Sequence, residues 1–453
     1  MRKMRSGGWL KLGERACSRD HRACVASKLA PTAFLGRSAD RGFALIITLS
    51  LLALLVLALL SLSVMVRISG QVSASGTYQT QARQNAMLGL NIGLSDLQRY
   101  AGDNTRITGM AGITGIAANA ANSRRHWCGV WRNDGTFVAW LASGAQASAL
   151  AALQNGTTGI ELVASGSAGA AAANSEHGIA GKIPIVVAEV PGAPGTATTI
   201  GHYAYLVSDE GVKISAYAPA AQLSTTNVKP LITSTTATSA QGKLRTAVDT
   251  YLGKLPAVIS YEQLALLPTP AAALTPSILQ DNFHHVTLTS RTVAGSQYYA
   301  GMVNLNTAST ILWRSLLETY NSVSGVTQIP TANLTTKGNA IGNGLAASTA
   351  GKSLNGPFTS VATFSNYLAV HFPLTGSPTH VQIMNALSPM LTVRSDTFRI
   401  RGYGEALNPV DASRIEAVAQ CEAIVQRTTD PAPNGLGRKF VVLYFRWLGP
   451  ADL

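Results

Sequence analysis

The sequence predicts an α+β fold: a long N-terminal helix laid on an antiparallel sheet, with a helical block lying between the strands. Three observations predict it. An uncharged apolar run, Phe43 to Val66, passes directly into a segment with helical spacing that reaches Tyr100. Strand-like runs rich in β-branched and aromatic residues occur at Lys182–Val190, His202–Val207, Thr397–Ala406, Arg414–Gln426 and Lys439–Trp447. Between Lys243 and Leu391 the runs read as helix instead, around Arg245–Leu252, Thr307–Thr319, Ser360–Val370 and His380–Leu387.

The chain of 453 residues is long enough to bury a sizeable core. Only 13% of its residues are charged and 46% are apolar, which excludes a disordered protein. Its formal net charge of +13 is concentrated at one end. Residues 1–42 hold 10 Lys/Arg against 3 Asp/Glu, and the remainder holds 25 against 19. The basicity therefore marks a leader, and no nucleic-acid partner is expected from it.

Phe43 to Val66 is 24 uncharged residues, a helix of about 36 Å at about 1.5 Å per residue, which exceeds a hydrocarbon core of about 30 Å. A secretory signal has a shorter apolar region followed by a small-x-small site, and neither is present. Lys and Arg crowd the upstream side, while only Arg67 and Arg83 fall in the next twenty residues. That bias places the N-terminus in the cytoplasm, anchored in the inner membrane, with everything from Arg67 onward periplasmic or extracellular. From Arg67 to Tyr100, Met87, Leu90, Leu94 and Leu97 share one helical face, and Gly102 supplies the stop. Gly70, Gly76, Gly89 and Gly93 weaken the segment by about 1 kcal/mol each relative to Ala.

In the head, Ala142–Gly178, Ser224–Gly242 and Thr327–Gly356 are rich in Ala, Gly, Ser and Thr and read as loops or insertions. Asn408-Pro409-Val410-Asp411 separates two strand-like runs and favours a hairpin. Thr307 is a credible N-cap for the helix behind it. The expected division is a basic leader 1–42, a transmembrane segment 43–66, an amphipathic continuation 67–102, a β-rich head 103–242, a helical subdomain 243–391, and C-terminal strands 392–453 that complete the head.

The junction Arg41-Gly42-Phe43-Ala44-Leu45-Ile46 resembles the processing site of type IV prepilins and type II secretion pseudopilins. The resemblance implies that a prepilin peptidase cuts after Gly42, that Phe43 becomes the N-methylated first residue, and that the apolar helix is kept. Filament-forming pilins carry Glu at the fifth mature position; here it is Ile47, an absence shared with the K-type minor pseudopilin and PilX-type proteins. The order of strands, helical block and strands also resembles the K-type pseudopilin, whose sheet is interrupted by an inserted helical domain. The segments "QARQNAMLGLNIGLSDLQRYAG", "HWCGVW", "YAYLVSDEGVK", "VNLNTAS" and "CEAIVQR" resemble the Verru/Chthon cassette protein A family of prepilin-like proteins. Partners implied are the membrane, the peptidase and other pilin-like subunits.

Chemical motifs are weak by comparison. Ala346 to Ser353, with Lys352, fits a permissive P-loop, but no strand precedes it and Asn355-Gly356-Pro357 follows, so no nucleotide is expected. His126-x-Cys128 and Asp209-Glu210 lack further ligands at metal-binding spacing; the alternatives are an aromatic patch of Trp127, Trp131 and Trp140, and a solvated turn. His284-His285 reads as a loop feature. Of the cysteines, Cys17 and Cys24 lie in the leader; Cys128 and Cys421 either pair in an oxidising compartment or stay as buried thiols. With no G-x-S-x-G or H-E-x-x-H present, neither enzyme activity nor a cofactor is expected. The expected function is a prepilin-like structural subunit at a filament tip or in initiation; the alternative is a single-pass anchored binding protein or adhesin without filament assembly.

Overall fold

The computed structural model describes residues 41–114, 125–145, 159–163, 178–187, 195, 197–215, 283–287, 303–321, 325–346, 357–449 and 452. Residues 1–40 of the leader, with Cys17 and Cys24, the run Arg245–Leu252 and Lys352 lie outside them. The chain divides into two compact units, Met1–Ser69 and Gly70–Leu453.

Helix α1, Arg41–Ala101, contributes residues to both units. In the first unit, every side chain from Leu45 to Ser69 is exposed. This is a helix long and apolar enough to cross a membrane. Its early hydroxyls are satisfied within it: Thr48 Oγ1 donates to Leu45 O (3.0 Å) and Ser50 Oγ to Ile47 O (2.9 Å). Hydrocarbon offers no other partner, so such internal bonds suit a spanning segment.

The second unit is α+β. β1 (Ile107–Met110), β2 (Cys128–Trp131) and β3 (Phe137–Trp140) make a small antiparallel sheet. β4 (Gly159–Val163) pairs with β5 (Gly178–Gly181). The main sheet has the order β14-β13-β12-β7-β6, antiparallel throughout, from β6 (Ile183–Val187), β7 (Thr198–Asp209), β12 (Thr397–Leu407), β13 (Ile415–Pro431) and β14 (Arg438–Leu448). β12 and β13 form the expected hairpin, closed by Asn408 N–H donating to Arg414 O, with Asn408 Oδ1 accepting from Val410 N–H. Short pairs β8 (Ile214–Ser215) with β9 (Val286–Thr287), and β10 (Val303–Asn304) with β11 (Leu391–Thr392), are parallel.

The strand period of two gives β12 two unlike faces. Phe398, Ile400, Gly402, Gly404 and Ala406 alternate beneath the second half of α1, sharing a core with Ala82, Ala86, Leu90 and Leu97. Gly404 is needed there: a Cβ would sit 2.1 Å from Ala86 N and 2.3 Å from Ala82 O, backbone atoms that cannot yield. Gly89, expected only to weaken α1, is likewise pressed against Ala204 O. The alternate residues Arg399, Arg401, Tyr403 and Glu405 face the other way.

Between β10 and β11 lies a helical block with its own core, built from α2 (Thr310–Asn321), α3 (Thr331–Ala346), α4 (Val361–His371) and α5 (His380–Leu387). The chain enters and leaves it through neighbouring strands. α4 and α5 each start with a capping box, at Ser360/Thr363 and Thr379/Gln382. Two expectations are corrected. The N-cap of α2 is Ser309, whose Oγ accepts from Leu312 N–H; Thr307 is buried two residues earlier, its Oγ1 accepting from Ser309 N–H and its carbonyl from Trp313 Nε1. Part of Thr327–Gly356, read as a loop, is helix α3. Leu334, Ile341 and Leu345 supply a thin apolar face, and Gly338 lets α3 approach α2, where a Cβ would meet Arg314 Cα at 2.7 Å.

The "VNLNTAS" segment ties these parts together. Asn304 Nδ2 donates to Thr108 O (2.9 Å), and Asn306 Nδ2 to Thr108 O and Phe358 O (both 3.2 Å). Phe358 N–H donates in return to Asn306 Oδ1 (2.7 Å). Buried amides with their bonds satisfied specify one arrangement of β1, the helical block and the approach to β12.

Candidate functional site

The junction lies in the first turn of α1, which contains no acidic residue. Phe43 and Ile47 are exposed, and Ile47 presents an apolar side chain at the fifth position after Gly42. A carboxylate there would cost about 2.5–3.5 kcal/mol at the centre of a bilayer, less near its edge. An apolar Ile47 would carry no such cost in a bilayer and would need no partner there.

On the face of the main sheet away from α1 lies a buried charge network. Glu422 on β13 accepts from Arg399 Nη1 (2.6 Å), Arg401 Nε (2.9 Å) and Arg446 Nε (3.1 Å). Glu210 accepts from Lys213 Nζ (2.7 Å), Arg399 Nε (3.2 Å) and Thr287 Oγ1 (2.5 Å). The Phe283 ring sits 4.4 Å from the Arg401 guanidinium and 4.6 Å from Lys213 Nζ. Burial pushes the Glu422 carboxyl up, and Arg399, Arg401 and Arg446 outweigh it, holding the group well below the usual carboxylate range. Burial acts the same way on Glu210, where Lys213 and Arg399 win and bring it to about 2. A second knot holds the β6 edge. Glu405 accepts from Lys182 Nζ (2.8 Å) and Tyr403 Oη (2.5 Å) and lies 2.7 Å from His202 Nδ1. Alternating charges on β12 are the sequence signal for this face, but they read as solvent-facing until their partners are known.

The metal candidates resolve differently. Asp209-Glu210 is no solvated turn: Glu210 is committed to Lys213 and Arg399, and Asp209 Oδ1 accepts from Gly211 N–H (2.7 Å). His126 stacks on His284, centroids 3.6 Å apart and planes within 3°, with His285 edge-on. Parallel stacked imidazoles direct their in-plane lone pairs along separate planes, which does not suit one shared ion. Among the described residues no group of three or more His, Cys, Asp or Glu is placed to hold a metal. Helix α3, not a strand, precedes the P-loop-like segment. Cys128 and Cys421 are buried free thiols. Cys421 Sγ points at Ala86 O (3.7 Å), and burial pushes its pKa up to about 12.

The tryptophans do cluster: Trp131 and Trp140 meet edge to face at 5.8 Å, and Trp127 Nε1 donates to Ile179 O (2.7 Å). Beside them a cleft of about 460 Å³ is lined by Asp96, Tyr100, Phe137, Trp140 and Tyr205. Tyr205 donates its hydroxyl to Asp96, and burial together with that bond pushes the phenol's pKa well up.

No family model and no curated protein matches the chain. Among solved structures, a similar chain comes from the crystal structure of the GspK-GspI-GspJ complex of the enterotoxigenic Escherichia coli type 2 secretion system. It is 13% identical, with a TM-score of 0.30, and the match covers 59% of this chain and 84% of that one. Values this low leave the functional reading to the helix and head described above, and the Verru/Chthon resemblance to its quoted segments.

Proposed function

We propose that this protein is a pilin-like structural subunit of an envelope assembly, a type IV filament or a type II secretion-like pseudopilus, acting by packing and not by catalysis. The observation that carries the reading is α1. One helix supplies an exposed apolar part long enough to cross a bilayer and a later part whose Ala and Gly face is buried on the main sheet. In this reading a prepilin peptidase cuts after Gly42, and the part from Phe43 onward anchors the chain in the inner membrane before packing against other pilin-like helices. The head stands on the periplasmic or outer side and requires neither cofactor nor nucleotide. Ile47 supports a place at the tip or in initiation, because no carboxylate awaits the amino terminus of a preceding subunit. The bulk of the mature chain supports it too: 411 residues after Gly42 are hard to repeat in every turn of a narrow filament.

The experiment compares wild type with Gly42→Leu in cells that carry a prepilin peptidase. Wild type is expected to shorten by the leader and to co-purify with pilin-like subunits. Gly42→Leu is expected to stay long and remain in the inner membrane. Identical size and fractionation of the two would contradict the reading. The aromatic cleft beside Asp96 favours a second one, an anchored binding protein outside any filament, which predicts that uncut result.

A further inference from the structure

The two edges of the main sheet are treated unlike each other. β6 is short, carries Pro184 and shifts register between Ile185 and Val186, devices that discourage further strand pairing. β14, at the other edge, has eleven residues and neither proline nor acid. Its beginning is covered by the end of α1: Arg438 N–H donates to Gly102 O (2.8 Å), Phe440 N–H to Gln98 Oε1 (3.0 Å), and Gln98 Nε2 to Arg438 O (2.8 Å). After the register shift at Leu443, Tyr444–Leu448 runs regularly against Gln420–Ile424. Among the described residues, no backbone group on the outer side of this stretch has a partner.

That open stretch adjoins a groove of about 490 Å³ between α1 and the end of the hairpin, lined by Gln79, Arg83, Val418, Gln420, Trp447 and Leu448. Phe445 and Trp447 stand on the α1 side, in edge contact at 5.5 Å and more than a third exposed. The Arg83 guanidinium lies 5.5 Å above the Trp447 ring, exposed, and among the described residues it makes no ion pair; Asp452, whose Oδ2 accepts from Gly449 N–H (2.7 Å), borders the far end of the groove. Arg446 points to the opposite face, committed to Glu422. The groove thus offers an apolar position next to one cationic position, two residues apart along a strand.

We propose that Tyr444–Leu448 is a docking edge for an extended segment of another protein chain. The segment adds a sixth strand to the sheet and places an apolar side chain beside Phe445 and a carboxylate beside Trp447, in reach of Arg83. Backbone pairing gives the affinity, and alternate side chains in the groove give the selectivity. The charge of Arg83 selects an acidic segment over a basic one. The proposal goes beyond the anchor reading and does not depend on cleavage at Gly42, so either can fail without the other.

The test uses the full chain in lipid nanodiscs and a fluorescent peptide in which Thr alternates with Val and Glu, so that Val and Glu share a face. A Lys-for-Glu counterpart and a version with a central Pro serve as probes of charge and pairing. The acidic peptide is expected to bind at least about tenfold more tightly than the basic one, and the Pro version not at all. It should also slow hydrogen exchange of the Tyr444–Leu448 amides. Trp447→Glu, which sets a like charge where the partner's carboxylate would lie, should abolish binding of the acidic peptide. Arg83→Glu, on an exposed helix position that does not hold the fold, should invert the charge preference. Absence of acidic-peptide binding, protection elsewhere in the chain, or an unchanged preference in Arg83→Glu would each overturn the proposal. So would self-association of the unliganded chain through the same amides, which would make the occupant a second copy.

Discussion

In the first half of α1, Leu57 is 71% exposed among Leu, Val and Ile; in the second half, Ala86 is wholly buried against the backbone of Gly402 and Gly404. Both stretches are apolar helix, yet side-chain size sorts them. Large side chains exposed on every side suit a fluid, non-specific environment such as lipid, where bulk matters more than fit. Small side chains bring helix and sheet backbones close, and that contact tolerates no added atom. Asn85, buried with its Nδ2 donating to Glu405 O (2.9 Å), fixes the register of the second half on the sheet. A helix can therefore carry two interfaces of opposite tolerance, one adaptable and one exact in fit.

The sharpest way to break this contrast is to change side-chain volume at each interface. Gly404→Val puts carbon into Ala86 N and Ala82 O, and a loss above about 4 kcal/mol is expected, seen as an absent cooperative melting transition in the head. Leu57→Ala removes volume from the exposed part and should leave the melting of the head within about 0.5 kcal/mol of wild type. Next in size is the charged face of the sheet. Glu422→Gln removes the carboxylate shared by two buried guanidinium groups, Arg399 and Arg401, and by the half-buried Arg446, and should cost about 3–5 kcal/mol in urea unfolding.

The same carboxylates set the acid limit. Glu210 and Glu422 have folded pKa values below their unfolded ones, so their contribution is full above the unfolded carboxylate pKa of about 4.3 and is lost as pH falls toward the folded values. The urea midpoint should drop between about pH 5 and pH 2, and Glu422→Gln should flatten that slope. A rising midpoint over this range would contradict the network. For the apolar half, Leu55→Asp should cost about 2.5–3.5 kcal/mol of insertion, read as release by alkaline carbonate, with the melting of the head unchanged. The smallest effect concerns the thiols. Cys128 and Cys421 should resist maleimide in the folded chain and both label in urea without reductant; labelling that needs reductant would show a disulfide instead.

Much of the fold was legible because its signals are local. β12, β13 and β14 alternate within themselves, Asn408-Pro409 marks their hairpin, and Ser360 and Thr379 cap α4 and α5. α3 was hidden because half of its buried face is glycine, Gly338, Gly342 and Gly344, which carries little hydropathy and leaves only Leu334, Ile341 and Leu345 to mark the helical period. The four-residue strands β1 to β3 were too short to show a period, although their tryptophans marked the region. The charged face was illegible for another reason. Arg399 and Arg401 declare a charge, but the Glu210 that makes Arg399 a buried group lies nearly two hundred residues away. The Arg41-Gly42-Phe43 junction is the opposite case, since its resemblance to a prepilin processing site rests on a few adjacent residues alone, and the cleavage that the resemblance implies is the proposal tested below.

The central claim is that the exposed half of α1 is kept while everything before Phe43 is removed. Intact-mass and N-terminal analysis of the protein purified from its native envelope tests it most directly. The account predicts a chain that begins at Phe43 and retains residues 43–69; a mature chain still bearing Gly42 and the basic leader would contradict it.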